Sequence, residues 1–147
     1  MRISRLIPIL LLAAACASSY DGRPISTSGG RAGVGVTLLS PVFFGSGTNA
    51  PANIEVVVEN RAGVPIVIRN VRLESSGMMS WGIYPTQRLF NETINAGEAK
   101  AFPMFATAAA RNSRMTPNEP LVVRAVVQFD AGKERFQEIY HGRAYEP

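Results

Sequence analysis

At 147 residues the chain is long enough for one domain that buries most of its surface and too short for two. Its single cysteine (Cys16) excludes an intrachain disulfide, and with a single histidine (His141) no Cys/His zinc set is available. The formal charge is +4, from 15 basic and 11 acidic residues, but no basic run or aromatic interleaving of an RNA-binding kind appears, so nucleic acid is not an expected partner.

The N-terminus carries Arg2 and Arg5, an apolar run from Leu6 to Ala15, and the small residues Ala13-Ala14-Ala15 before Cys16. A basic start, a short apolar run and a small-residue end read as a secretory signal, residues 1–15, and ten apolar residues are too few to span a bilayer as a helix. Leu12-Ala13-Ala14-Ala15-Cys16 resembles the lipobox of bacterial lipoproteins, with Ala13 where leucine is more usual. The resemblance implies that the Cys16 thiol receives a diacylglycerol and that the chain is cut just before it. Ala17 stands after the cysteine where an aspartate would, by analogy with enterobacterial lipoproteins, retain the protein at the inner membrane; the outer membrane is therefore the expected address. Loss of Arg2 and Arg5 with the signal lowers the formal charge from +4 to +2.

Residues 16–33 comprise the lipidated cysteine and a Gly/Ser/Thr-rich stretch without apolar period, the composition of a flexible linker. A coil of that length spans on the order of 20–25 Å. From residue 34 to 147 the pattern is β. Val34, Val36 and Leu38 alternate, as do Ile54, Val56 and Val58, and Asn60-Arg61-Ala62-Gly63 supplies turn chemistry between the second strand and a third from Ile66 to Leu73. In that third strand Ile66 and Ile68 fall on one face and Val71 and Leu73 on the other, so a bulge near Arg69-Asn70 is needed to bring all four inside. A fourth strand is expected over Gln87 to Ile94. A fifth, Lys100 to Ala106, contains Pro103, which cannot donate to a ladder and marks an edge or bulge. Leu121 to Phe129 is the clearest alternation, and Phe136 to His141 follows the Asp130-Ala131-Gly132-Lys133 turn. Phe105 to Arg114 is open between a helix and a strand with loop.

Seven short strands with close turns predict an all-β, seven-stranded antiparallel immunoglobulin-like sandwich. The stretch Glu59-Asn60-Arg61-Ala62-Gly63-Val64-Pro65-Ile66, followed by Val71, Leu73 and Ala96-Gly97-Glu98, resembles immunoglobulin-like envelope domains and also the water-stress (LEA2/WHy-type) sandwich. That resemblance implies a fold and carries no ligand or activity.

Catalysis needs a nucleophile beside a base, or paired carboxylates, and neither is legible. His141 is alone, no serine sits in a Gly-x-Ser-x-Gly turn, and Glu55 and Glu59 read as solvated charge on one strand. No catalytic residue, metal ligand or cofactor is expected. Convergence of Met78, Met79, Met104 and Met115 on Cu(I) would need a loop conformation, because adjacent strand residues point oppositely. Arginine outnumbers lysine thirteen to two, which could suit lipid A phosphates, but the arginines are scattered along the chain, and the codon usage of a GC-rich genome is the preferred account of them. The most suggestive segment is Ser75 to Pro85. There Met78, Met79, Trp81 and Tyr84 stand among Gly and Ser, either as a partner-binding surface with Trp81 as anchor or as a plug closing the end of the core. Pro41 to Gly47, with Phe43 and Phe44, poses the same choice.

These readings converge on a non-catalytic envelope lipoprotein, membrane-bound through its lipid and facing the periplasm, that binds an envelope protein partner. The alternative is a periplasmic carrier whose cavity, lined by Phe102, Met104 and Phe129, holds an apolar or metal ligand.

Overall fold

The computed structural model describes residue 25, residues 30–112 and residues 119–147. The signal, Cys16, most of the linker and Met115 lie outside these residues. The described chain forms eight strands: β1 (Ala32–Leu38), β2 (Asn49–Asn60), β3 (Ile66–Ser75), β4 (Trp81–Ile83), β5 (Thr86–Ile94), β6 (Ala99–Ala110), β7 (Val122–Ala131) and β8 (Glu134–Arg143). They make two antiparallel four-stranded sheets, ordered β1-β2-β6-β4 and β5-β3-β7-β8. Strands one, two and six share one sheet and strands three, seven and eight the other, the order of an immunoglobulin-type sandwich.

The core lies between the sheets because each strand turns one alternating set of apolar residues inward. Val34, Val36, Ile54, Val56, Phe102 and Met104 of the first sheet meet Ile66, Ile68, Val71, Leu73, Val127 and Phe129 of the second. The expected bulge is present. Against β7 the register steps from Ile68↔Phe129 to Asn70↔Gln128, so Arg69 is the extra residue, and all four apolar side chains of β3 are fully buried.

Two expectations, the strand count and the end of the linker, are corrected, and one open alternative is decided. The strand count is eight, since Trp81–Ile83 pairs with Ala108–Ala110 of β6; three residues among Gly and Ser are too few to show a period. β6 is extended through Ala110, so the alanine-rich part of Phe105 to Arg114 that is described is strand. The linker ends earlier than residue 33: Ala32 and Gly33 belong to β1, opposite Asn60 and Glu59, and Ile25 lies against Gly33 so closely that an added Cβ would meet its side chain.

Pro103 stands where the sequence reading put it, beside an open edge. β4 covers β6 only at Ala108–Ala110. Beyond that pairing three outward carbonyls of β6 are capped locally: Thr107 accepts from the Tyr84 amide at 2.9 Å, Phe105 from Thr86 Oγ1 at 3.3 Å, and Pro103 from Arg88 Nη1 at 3.0 Å. At the opposite edge of the sheet, Leu38 and Val36 of β1 bond the Tyr145 backbone at 2.8 Å each.

Asn60 closes the far end. Its side chain is fully buried and Nδ2 donates to the carbonyls of Val64 and Ile94, both at 2.9 Å, while Oδ1 accepts from the Ala62 amide at 2.9 Å. Its amide donates to Glu98 O at 2.8 Å and its carbonyl accepts from the Gly97 amide at 2.9 Å. The two turns that carry the sequence resemblance are thus bonded to one residue. Asn60→Ala should lower stability by about 2 kcal/mol or more, because it removes one fully buried and two part-buried side-chain bonds to the backbone and leaves the Ile94 carbonyl without its partner, at roughly 1–3 kcal/mol for that group alone. Asn60→Asp should be at least as damaging, since it sets a carboxylate against two carbonyls; chemical denaturation of either variant with an unchanged midpoint would refute this role.

Candidate functional site

The segment between β3 and β5 is built on Trp81. After Ser75 ends β3 the chain turns outward at Gly77 and Met78, and it returns inward at Ser80 to enter β4, whose three residues are all buried. Trp81 is 7% exposed; its ring meets Phe44 edge-on at 6.0 Å, and its Nε1 donates to Glu119 O at 3.1 Å. The two aromatic loops singled out in the sequence therefore meet, and Trp81 is a core plug.

Hydrogen bonds fix the surrounding loop. Glu119 accepts from the Ser80 amide at 3.0 Å and also from the Ser80 hydroxyl, Arg111 Nη1 donates to Gly77 O at 2.8 Å, and Ser75 Oγ accepts from the Ile83 amide at 2.5 Å. Gly82 is required by this packing, because a Cβ there would lie 2.5 Å from Ser75 Oγ and 2.8 Å from the Arg111 guanidinium. What the loop presents outward is Met78, fully exposed, and Tyr84; Met79 is half-buried, and Phe43 projects from the neighbouring loop. Of the four sequence-predicted residues, Met78 and Tyr84 occupy the surface and Trp81 the interior.

The other candidates separate. Met104 is buried while Met78 is in solvent, so these two thioethers share no site. Phe102, Met104 and Phe129 are packed in the core, Phe102 against Phe90 at 4.9 Å and Phe129 against Phe136 at 5.8 Å. The recess of about 350 Å³ at Thr86, Gln87, Arg88, Met104 and Phe105 opens between the edges of β5 and β6. Ser76 Oγ and His141 Nε2 lie 2.6 Å apart, a pairing the sequence reading missed, but among the described residues no carboxylate bonds the imidazole. No group of three or more His, Cys, Asp or Glu suited to a metal occurs among the described residues, and they contain no helix long and apolar enough to cross a membrane.

A second constellation was invisible in the sequence. On the outer face of the β5-β3-β7-β8 sheet, Glu74 bonds Arg124 and Arg72, each at 2.9 Å, and Asp130 bonds Arg69 at 2.7 Å and Arg135 at 2.8 Å. Each carboxylate lies between two guanidiniums. Hydrogen bonds from Arg135 and Arg69 hold the Asp130 carboxyl down from its ordinary 3.8 to about 2, and the bond from Arg124 lowers that of Glu74. The only early signal was that Arg72, Glu74 and Arg124 occupy the outward phase of alternating strands.

No protein-family model and no curated sequence matches the chain. Among solved structures it is similar to a FixG-related protein from Vibrio parahaemolyticus, at 14% identity and TM-score 0.39, covering 80% of this chain and 98% of that one. It is also similar to the GAE domain of GGA2p from Saccharomyces cerevisiae, at 13% identity and TM-score 0.42, covering 82% and 95%. The sporulation control protein Spo0M from Bacillus subtilis matches at 16% identity and TM-score 0.43, over 80% of this chain and 49% of its own.

Trp81→Ala should cost about 3–5 kcal/mol of folding stability, the usual loss for a buried tryptophan, whereas Met78→Ala should change it by less than about 0.5 kcal/mol. Denaturant titration of both variants checks the assignment, and a Trp81→Ala chain of native stability would return that ring to the surface. Because the folded Asp130 carboxyl titrates below its unfolded value, its contribution is fully present above about pH 4 and is lost as pH falls through about 2. Asp130→Asn should therefore flatten the acid limb of the stability profile between those values, and an unaltered limb would show that the paired arginines do not hold the carboxylate.

Proposed function

We propose that the chain is a lipid-anchored bacterial envelope protein, tethered through Cys16 at the outer membrane and facing the periplasm, whose sandwich binds an envelope protein partner without catalysis. The observation that carries the binding reading is the contrast between the loop scaffold and the residues it displays. Ser75, Ser80, Gly82, Trp81 and Arg111 are held by bonds and packing, yet Met78, Tyr84 and Phe43 are left in water. A loop whose backbone is already held incurs less ordering cost on binding than a mobile one. A packed aromatic interior favours this reading over a carrier, and among the described residues the imidazole bonded to Ser76 has no carboxylate partner of the kind that orients a hydrolytic triad.

The tether and the surface are tested separately. Cys16→Ser should leave the domain folded and move it from the membrane to a soluble or unprocessed fraction. Mass spectrometry should find acylated Cys16 at the mature N-terminus; a chain starting at Ala17 without acyl mass would overturn the anchor. Capture of a partner by the anchored wild-type chain should be lost in Met78→Asp/Tyr84→Asp at unchanged melting temperature, and undiminished capture would move the partner site away from this loop.

A further inference from the structure

The arginines that are scattered in the sequence are gathered on one face. Arg69, at the bulge, joins Arg72 of β3, Arg124 of β7, and Arg135 and Arg143 of β8 on the outside of the β5-β3-β7-β8 sheet, with Glu74 and Asp130 as the acids among them. Five arginines against two carboxylates leave an excess of three positive charges; Lys133 and Glu134 in the β7–β8 hairpin cancel each other. The excess is also what solvent meets: the four paired arginine side chains are 40–67% exposed and the carboxylates 20–21%. The opposite sheet presents Glu55 and Glu59 of β2, the latter bonded to Arg61, beside Ala101, Pro103 and Phe105 of β6.

We propose that this face rests on the phosphate headgroups of an anionic bilayer. Guanidinium is weakly hydrated and bonds phosphate oxygens in pairs, so a carboxylate shared by two arginines orients both forks while leaving donors for phosphate. The two clusters stand about 20 Å apart, six residues along β7 from Arg124 to Asp130, which suits an array of headgroups and exceeds the reach of one small anion. Between them Val126 and Ile139 are cross-strand neighbours, and Ile139 is exposed, an apolar patch that a hydrated soluble polyanion would not cover and an interfacial region would. This goes beyond the lipid tether and does not require it.

The test uses the full chain carrying Cys16→Ser, so that acylation plays no part, and vesicles of phosphatidylcholine with and without phosphatidylglycerol. Arg72→Gln/Arg135→Gln removes two charges and keeps the Arg124–Glu74 and Arg69–Asp130 pairs; Arg61→Gln/Lys100→Gln removes two charges away from this face. Every variant retains residues 1–31, whose contribution to binding is common to all. Partitioning onto the phosphatidylglycerol vesicles should fall roughly tenfold to thirtyfold in the first double variant, as expected for two surface arginines, and remain near wild type in the second. Equal losses in both would reduce the effect to net charge and overturn the proposal. So would wild-type binding that ignores phosphatidylglycerol, or a soluble polyglutamate that binds the face while vesicles do not.

Discussion

The architecture depends on one buried amide. Asn60 ends β2, opposite the first residue of β1, and its side chain and backbone bond the turn after β2, the end of β5 and the turn before β6. A turn in solvent satisfies its own polar groups, but a turn folded against a sandwich core must find partners for them. An asparagine side chain offers two donors and an acceptor in one plane, so it serves three backbone groups that belong to different parts of the chain. The two sheets are consequently joined at this end by hydrogen bonds as well as by apolar packing.

At the other end the joining element is aromatic. Trp81 and Phe44 fill the space between the sheets, and Glu119 reaches the indole and Ser80 from the approach to β7. The end closed by Trp81 also displays Met78 and Tyr84 in water.

Local periodicity made much of this legible before the fold was known. The phase change in Ile66, Ile68, Val71 and Leu73 required a bulge at Arg69-Asn70 because a period-two strand cannot bury both pairs otherwise, and the alternation from Leu121 to Phe129 located β7. Features that depend on distant partners were not legible. The first half of β2 was hidden because its inward residues Ala50 and Ala52 are small and alternate with Asn49, Pro51 and Asn53. Trp81 had the composition of an anchor and of a plug alike, and only the pairing of β4 with β6 and the bond to Glu119 decide between them. The arginine face arises from the registers of three strands, so no linear window contains it.

The capped edge of β6 bears on how such molecules live side by side. A protein confined to a surface meets its own copies at effective concentrations far above those in dilute solution, always in similar orientation, and an open strand edge would then template addition of a neighbour's strand. Pro103 withholds one amide such a ladder needs, and Arg88, Thr86 and Tyr84 occupy the carbonyls of Pro103, Phe105 and Thr107. If the proposed anchor confines the chain to a membrane, crowding there meets a margin on which three carbonyls and one amide position are already closed to a neighbour's strand.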